Sequence, residues 1–430
     1  MLCAGLSLLT TASRAGEDTA QEFAAHVQFT YTEQETSGFN APYSGPNSLS
    51  PNRGAETIDA TLFLGARIWP GAELWVGPEI DQGFGLDDTL GAAAFPSGEA
   101  YKIGKNHPYL RLQRLFVRQT VDLGEQRDEV APSQLQLGGT ASADRLVITV
   151  GKFGVPDVFD DNAYAHDPRN DFLNWAAIDA GTFDYAADSW GYTVGAAFEW
   201  YHGPLALRFG VFDLSDIPNS PDLEPAFHEF QLVAEIEKDF AVGGHAGKIR
   251  ATGFDSRGRM GLLDQAVALA ASTDTAVDIA AVRRYRSRFG ASLDLEQQIL
   301  EGVGVFARTG KDTGNVEPYE FTDIDRTISA GLSVTGARWG RADDSVGLTG
   351  ILDGISAERE RYLNAGGLGI LVGDGKLPRA GPEKVLETYY SFALLRYAHI
   401  TFDYQFIADP AYNRDRGPVS VFAVRVHAQY

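Results

Sequence analysis

I-D-A-T-L-F-L-G-A-R-I-W-P-G-A-E-L-W-V-G-P-E-I, residues 58 to 80, holds two alternating segments and the turn between them. Ile58, Ala60, Leu62, Leu64, Ala66 and Ile68 fall on one face, and Asp59, Thr61, Phe63, Gly65 and Arg67 on the other. After Trp69-Pro70-Gly71 the pattern resumes, with Leu74 and Val76 opposed to Glu73, Trp75 and Glu79. A two-residue period predicts strands, and the Pro-Gly join predicts a tight turn. Each strand is apolar on one face and polar on the other.

The same signature runs through the chain. Phe23 to Tyr31 alternates, and further strands are predicted near 109–122, 145–153, 190–200, 204–213, 228–239, 246–255, 283–296, 299–308, 326–336, 346–352, 386–396, 399–407 and 418–430. This gives about sixteen strands of about ten residues, the count and length of an outer-membrane barrel. The connections alternate in length: 32–57, 82–108, 154–189, 256–282, 309–325 and 353–385 are long, whereas 69–71, 201–203, 297–298 and 397–398 are short. The fold predicted is all-β, a transmembrane antiparallel β-barrel with long outer loops and short periplasmic turns. The connection 123–144 departs from the pattern, and Leu135 to Leu137 are read as a strand extending into it. The third long loop belongs to a stretch, Asp144 to Trp175, that opens as a β-branched segment, Leu146 to Phe153, and continues rich in Asp, Asn, Pro and aromatics without helical or strand period. Long aperiodic loops are usually functional, and this one is expected to fold into the pore.

Composition agrees with a barrel. The chain has 430 residues and 44% apolar content, yet its apolar residues are scattered and no run of about 18 spans a membrane as a helix. No linker divides it, so residues 16–430 are read as one barrel domain. A net charge of −22 argues against nucleic acid as partner, since phosphate binding needs a basic face. The only cysteine, Cys3, lies in the apolar stretch Leu2 to Leu9, and Ser13 and Ala15 offer a cleavage site. Residues 1–15 are therefore read as a signal peptide, and the missing basic start suggests a true start upstream. The last strand, Val419 to Tyr430, turns Phe422, Val424, Val426, Ala428 and Tyr430 one way and Arg425, His427 and Gln429 the other. A terminal aromatic on such a strand suits recognition by the outer-membrane insertion machinery, and closure satisfies strand edges facing lipid.

Several blocks carry a resemblance to a known family. F-N-A-P-Y-S-G-P-N-S-L (39–49), E-T-I-D-A-T-L-F-L-G-A-R-I-W-P-G-A-E-L-W (56–75), P-E-I-D-Q-G-F-G-L (78–86) and F-P-S-G-E-A-Y (95–101) are similar to OprB-type carbohydrate-selective porins. So are R-L-V-I-T-V-G-K-F (145–153), D-N-A-Y-A-H-D-P-R-N-D-F-L-N-W (161–175), L-E-T-Y-Y (386–390) and A-Y-N-R-D-R-G-P-V-S (411–420). The resemblance spans nearly the whole mature chain. It implies a sixteen-stranded channel of the bacterial outer membrane for passive diffusion of monosaccharides such as glucose and of small oligosaccharides, with no cofactor and no turnover. The sequence is compatible with a homotrimer or a monomer.

A sugar is neutral and ringed with hydroxyls that donate and accept, so carboxylates, guanidiniums and aromatic faces select it. Strand parity turns Glu73, Glu79, Asp81, Glu199, Glu235 and Asp294 inward as acids. It turns Arg67, Arg114, Arg118, Arg208, Arg308 and Arg425 inward as bases, with Phe63, Trp75 and Phe254 as aromatic faces. Arg111-x-x-Arg114-x-x-x-Arg118 breaks strict alternation and predicts a bulge near Leu112 to Leu115, leaving the side of Arg111 open. Arg284, Arg286 and Arg288 read as a basic ladder along the pore, or as plain solvated lumen charge. In the third loop Asp157, Asp160, Asp161, His166, Asp167 and Arg169 are expected to narrow the pore. They lack the Gly and Glu spacing of a calcium loop, so no metal is assigned, and His166 is equally readable as a loop hydrogen-bonding residue.

Gly366-Gly367-Leu368-Gly369 with Gly373 follows no βαβ unit and is read as an outer loop, with a short helix over Ser356 to Leu363. The arginine row motivates an alternative, a porin for anionic solutes such as sugar acids or phosphates. A lipid-degrading barrel enzyme is the third class, and no catalytic spacing supports it.

Overall fold

When the apolar face of strands with period-two alternation meets lipid, the polar face must be enclosed, and a closed barrel does so without leaving an edge. The structure, a computed structural model, describes residues 20–100 and 103–430. The signal-peptide reading over 1–15, Cys3 and Tyr101 lie outside them. The strands are β1 (Phe23–Thr36), β2 (Gly54–Trp69), β3 (Ala72–Gly83), β4 (Lys105–Asp122), β5 (Arg127–Val130), β6 (Gly139–Ser142), β7 (Arg145–Phe153), β8 (Thr193–His202) and β9 (Leu205–Asp213). They continue as β10 (Phe230–Val242), β11 (His245–Met260), β12 (Arg284–Leu300), β13 (Val303–Asp312), β14 (Arg326–Thr335), β15 (Ser345–Gly354), β16 (Glu383–Leu395), β17 (Ala398–Ala408) and β18 (Val419–Gln429). All but β5 and β6 form one closed antiparallel barrel, sixteen strands in chain order, with β18 returning to β1. At the seam Val27 N–H and Tyr430 N–H each donate to the other's carbonyl at 2.9 Å. No described helix is long and apolar enough to cross a membrane; the crossing elements are strands.

The turn at Pro70-Gly71 forms as its residues predict. Gly71 has φ +77°, and a Cβ there would lie 2.4 Å from the Thr120 carbonyl oxygen, so glycine is required. The bulge is present on β4: Gly77 pairs with Arg114 and Pro78 with Leu112, leaving Gln113 unpaired. Leu110 and Leu112 then face outward before the bulge and Leu115 after it, and Arg111 faces the lumen together with Arg114.

Three expectations need correction. β12 runs on to Leu300 and the turn is Glu301-Gly302, not 297–298, because Gly302 supplies the positive φ of +69° and Gln297 instead donates to the carbonyls of His245 and Ala246. The strands β1 and β11 extend well past 31 and 255 at the loop end, where both faces become polar and the alternation of apolar residues fades. The connection 123–144 is no strand extension at Leu135 to Leu137. It is a separate hairpin of β5 and β6, with the intervening 131–138 folded against the barrel interior and Leu137 buried.

The lumen is not an open pipe. The loop after β7 folds inside, and α1 (Trp175–Ile178) starts where the Asn174 side chain accepts from Ala176 N–H at 3.1 Å. Phe172 from this loop packs on Tyr389 and Phe306, while Phe159 meets Phe212. Along the same strands, β9 and β13, the remaining space is filled by ion pairs. Arg308, wholly buried, donates to the carbonyls of Ala165 (2.8 Å), Ala177 (2.7 Å) and Asp160 (3.1 Å) and pairs with Asp294 at 2.8 Å. Arg208 bridges Glu199, Glu235 and Glu237. At the loop end lie α2 (Leu263–Thr273) and α3 (Ala357–Asn364), the latter capped by Ser356 accepting from Arg359 N–H.

Candidate functional site

The infolded loop leaves one cavity beside the β2–β4 wall, about 310 Å³ in volume. The wall supplies Phe63, Glu79 and Arg114; the loop after β3 supplies Phe95 and Glu99; the loop after β7 supplies Asp157, His166, Asp167, Arg169, Trp175 and Asp179. Tyr185, Trp190 and Tyr192 complete the aromatic lining. The volume lies at the small end of ligand pockets, in the range that holds a single small solute.

Each charged side chain is fixed by a partner from another element. Arg114 donates to Asp157 twice, from Nε at 2.9 Å and Nη2 at 2.7 Å, and from Nη1 to the Tyr192 hydroxyl at 3.2 Å. Burial opposes the charge on Asp157, yet Arg114 holds its pKa below the usual carboxylate value. Glu79 accepts from the Thr61 hydroxyl at 2.6 Å. Arg169 sits among three carboxylates: Glu99 at 3.3 Å, Asp59 at 3.7 Å and Asp167 at 3.9 Å. Burial pushes the Glu99 pKa well above its ordinary value, and Asp59 adds to the shift against the opposing pull of Arg169. For His166 burial opposes charging, but the carboxylates of Asp161 and Asp179 raise its pKa above that of a free histidine.

Four lining polar atoms lack a hydrogen-bond partner among the described residues: Trp175 Nε1, His166 Nδ1, Asp179 Oδ1 and Arg169 Nε. His166 Nδ1 and Asp179 Oδ1 are 3.9 Å apart, too far for a hydrogen bond between them. These four buried atoms belong to residues that line one cavity, beside the stacked rings of Phe95 and Trp175, whose centroids are 5.1 Å apart. Hydroxyl groups, which donate and accept, match such a lining.

The sequence profile of the family described as carbohydrate-selective porin, OprB family, matches residues 47–430. The chain belongs to this family. No curated protein matches it in sequence. Among solved structures, the high-pH structure of Pseudomonas putida OprB is similar with TM-score 0.71 at 15% identity, covering 95% of this chain and 94% of that one. The low-pH structure of the same protein has TM-score 0.51 at 11% identity, covering 95% and 93%. The outer-membrane channel DcaP of Acinetobacter baumannii has TM-score 0.51 at 7% identity, covering 98% and 100%. At these identities the structures speak for the fold.

As a member of the OprB family the chain is a sugar-conducting channel of the bacterial outer membrane, from a porin family and not an enzyme family. The loop end is the outer face and the turn end the periplasmic face. This OprB member brings Glu79 and Arg114, and Asp157, His166, Asp167 and Arg169, to one cavity. It places the other sequence candidates elsewhere. Trp75 is wholly buried over Gly65, donating from Nε1 to Glu73 at 2.9 Å. Asp81 is buried beside Gln113. Arg67, Arg118 and Glu73 lie at the periplasmic end against the 131–138 segment. Asp160 is buried, accepting from Ala180 N–H at 2.6 Å, and Asp161 is largely exposed, 3.7 Å from Arg250.

The row Arg284, Arg286 and Arg288 does not reach the cavity. Arg288 is buried against Asp312 and Asp184, Arg286 donates to the Met260 carbonyl and Gln265 at 3.0 Å each, and Arg284 is exposed at the outer end. Glu99, Phe95 and Trp190, not proposed as pore-lining from sequence, also line the site, and Arg111, whose side the sequence left open, stands behind Trp190 with Asp188. Arg111 pairs with Asp188 at 3.2 Å and stacks 3.4 Å from the centroid of Trp190. The F-P-S-G-E block that carries Phe95 and Glu99 resembled the family and was the available signal.

Proposed function

We propose that sugars are selected in the cavity between Glu79, Arg114 and the infolded loop, with Arg169, Glu99 and Asp179 contacting hydroxyls and Phe95, Trp175 and Tyr185 offering aromatic faces. The observation that carries this reading is that one small aromatic-walled cavity is lined by Trp175, His166, Arg169 and Asp179, each of which keeps a buried polar atom without a hydrogen-bond partner among the described residues. Glu79, Asp157 and Asp167 offset two arginines and His166 there, and Glu99 and Asp179 add further carboxyl groups, so the lining lacks the positive excess that an anion site needs. Binding is weak and the solute passes down its own gradient, since a tightly held sugar would not leave. The channel performs no chemistry on its solute. The C-terminal strand, ending in Tyr430 and closing the barrel on β1, is the element the insertion machinery engages, and a single barrel is a sufficient transport unit because its cavity is built from one chain.

Liposome swelling with the purified protein tests the reading. Glucose is expected to enter faster than gluconate; exclusion of glucose, or faster entry of gluconate, would overturn it.

A further inference from the structure

The connection from β4 to β7 is far longer than joining two antiparallel neighbours requires, since two residues suffice for such a turn. Here residues 123–144 form the β5–β6 hairpin instead, and its tip crosses beneath β3 and β2 to reach β1 and β18. Gln134 Nε2 donates to Gln28 Oε1 at 2.9 Å and to Gln429 Oε1 at 3.0 Å. The strand wall holds the tip from the other side: Arg118 Nη1 donates to the Leu135 carbonyl at 2.6 Å, and Leu137 is buried in the core. Gln134 and Leu135 line the same cavity as Glu79 and Arg114, so they are its floor on the periplasmic side.

A chain of hydrogen bonds runs along this floor. Gln134 donates to Gln28, Gln28 Nε2 donates to the Thr61 hydroxyl at 3.2 Å, and that hydroxyl donates to Glu79 at 2.6 Å. The amide and hydroxyl groups of this chain both donate and accept, so a sugar hydroxyl can replace one bond at a time without leaving a buried group unpaired.

We propose that the 127–142 hairpin is a second selectivity element of the channel, an exit filter in which Gln134 meets the solute after the arginine-carboxylate cavity and limits the length of sugar that passes. This deepens the sugar-channel reading and rests on it. A plain spacer at this position would have no reason to place side chains in the solute cavity, and the turns at Pro70-Gly71, Gly203-Pro204 and Gly243-Gly244 do not.

The test is flux of glucose and of maltotriose through liposomes carrying the unmodified protein, Gln134→Ala and Gln134→Trp, each checked for folded barrel by its heat-dependent gel mobility. Gln134→Ala is expected to raise the maltotriose-to-glucose flux ratio severalfold, and Gln134→Trp to lower glucose flux severalfold. If the unmodified protein passes glucose and both variants leave flux and ratio unchanged, the exit filter is overturned while the sugar channel stands. If the unmodified protein passes no glucose, the sugar-channel reading itself fails and the filter with it.

Discussion

Arg114 on the barrel wall and Asp157 at the start of the infolded loop face each other in a two-pronged ion pair, with bonds of 2.9 and 2.7 Å. The pair pins the loop to the strand and sets one width of the cavity. Asp157→Asn and Arg114→Met are each expected to loosen the loop, raising single-channel conductance and weakening glucose block. A double-mutant cycle on the block constant should return a coupling of about 0.5–3 kcal/mol, as for contacting residues in one network.

The cavity charge is expected to depend on pH. His166 has a raised pKa, so its stabilising contribution is fully present below the ordinary histidine value and is lost as pH rises through the raised one. Asp171, which accepts from the backbone N–H groups of His166 and Asp167, is pushed up to about 6 by burial and by Asp167. Its contribution too is lost as pH rises toward that value. Asp157 and Asp167, with lowered pKa values, act in the opposite sense only below the usual carboxylate range, about pH 4. Reversal potentials in a salt gradient should therefore shift toward cation preference as pH rises from about 5 to 8. His166→Gln should remove the upper part of that shift and Asp171→Asn the lower part.

Trp75 covers Gly65 on the neighbouring strand, where a Cβ would lie 2.5 Å from the indole ring. It is a packing residue, and its exposure is zero. Trp75→Ala should cost about 3–5 kcal/mol of barrel stability, the range for deleting a buried large aromatic. Urea unfolding in detergent reads the loss, and the glucose-to-gluconate flux ratio is expected to stay as in the unmodified protein.

Arg286 ties β12 to the carbonyl of Met260 and to Gln265 on α2, away from the cavity. Arg286→Ala should leave ion selectivity and sugar block unchanged while raising protease susceptibility of the 261–283 loop. A change in anion preference would restore the arginine row as a pore element.

Much of the fold is legible in the sequence because a barrel wall has one simple rule, apolar outward and polar inward with period two. Even the bulge on β4 shows itself, since Leu110 and Leu112 share one parity and Leu115 the other. The rule fades beyond the apolar band, so the outer ends of β1 and β11, with Gln34 and Arg257, escape it. The site is less legible because its partners are far apart in the chain: Arg169 meets Asp59 and Glu99, and Arg114 meets Asp157. Parity says that Trp75 and Arg288 point inward; it does not say whether the space they enter is open or filled. That depends on how the loop after β7 packs, which rests on contacts such as Phe172 on Tyr389 and Arg308 on three loop carbonyls.

Single-channel recording of glucose block, in the unmodified protein and in Glu79→Gln and Arg169→Gln, tests the central claim most directly. The account predicts that glucose interrupts the current and that each variant weakens the block by about tenfold, roughly 1.4 kcal/mol for one charge-assisted hydrogen bond to a hydroxyl. Absence of glucose block, or block unaltered in both variants, would contradict selection of sugar at this cavity.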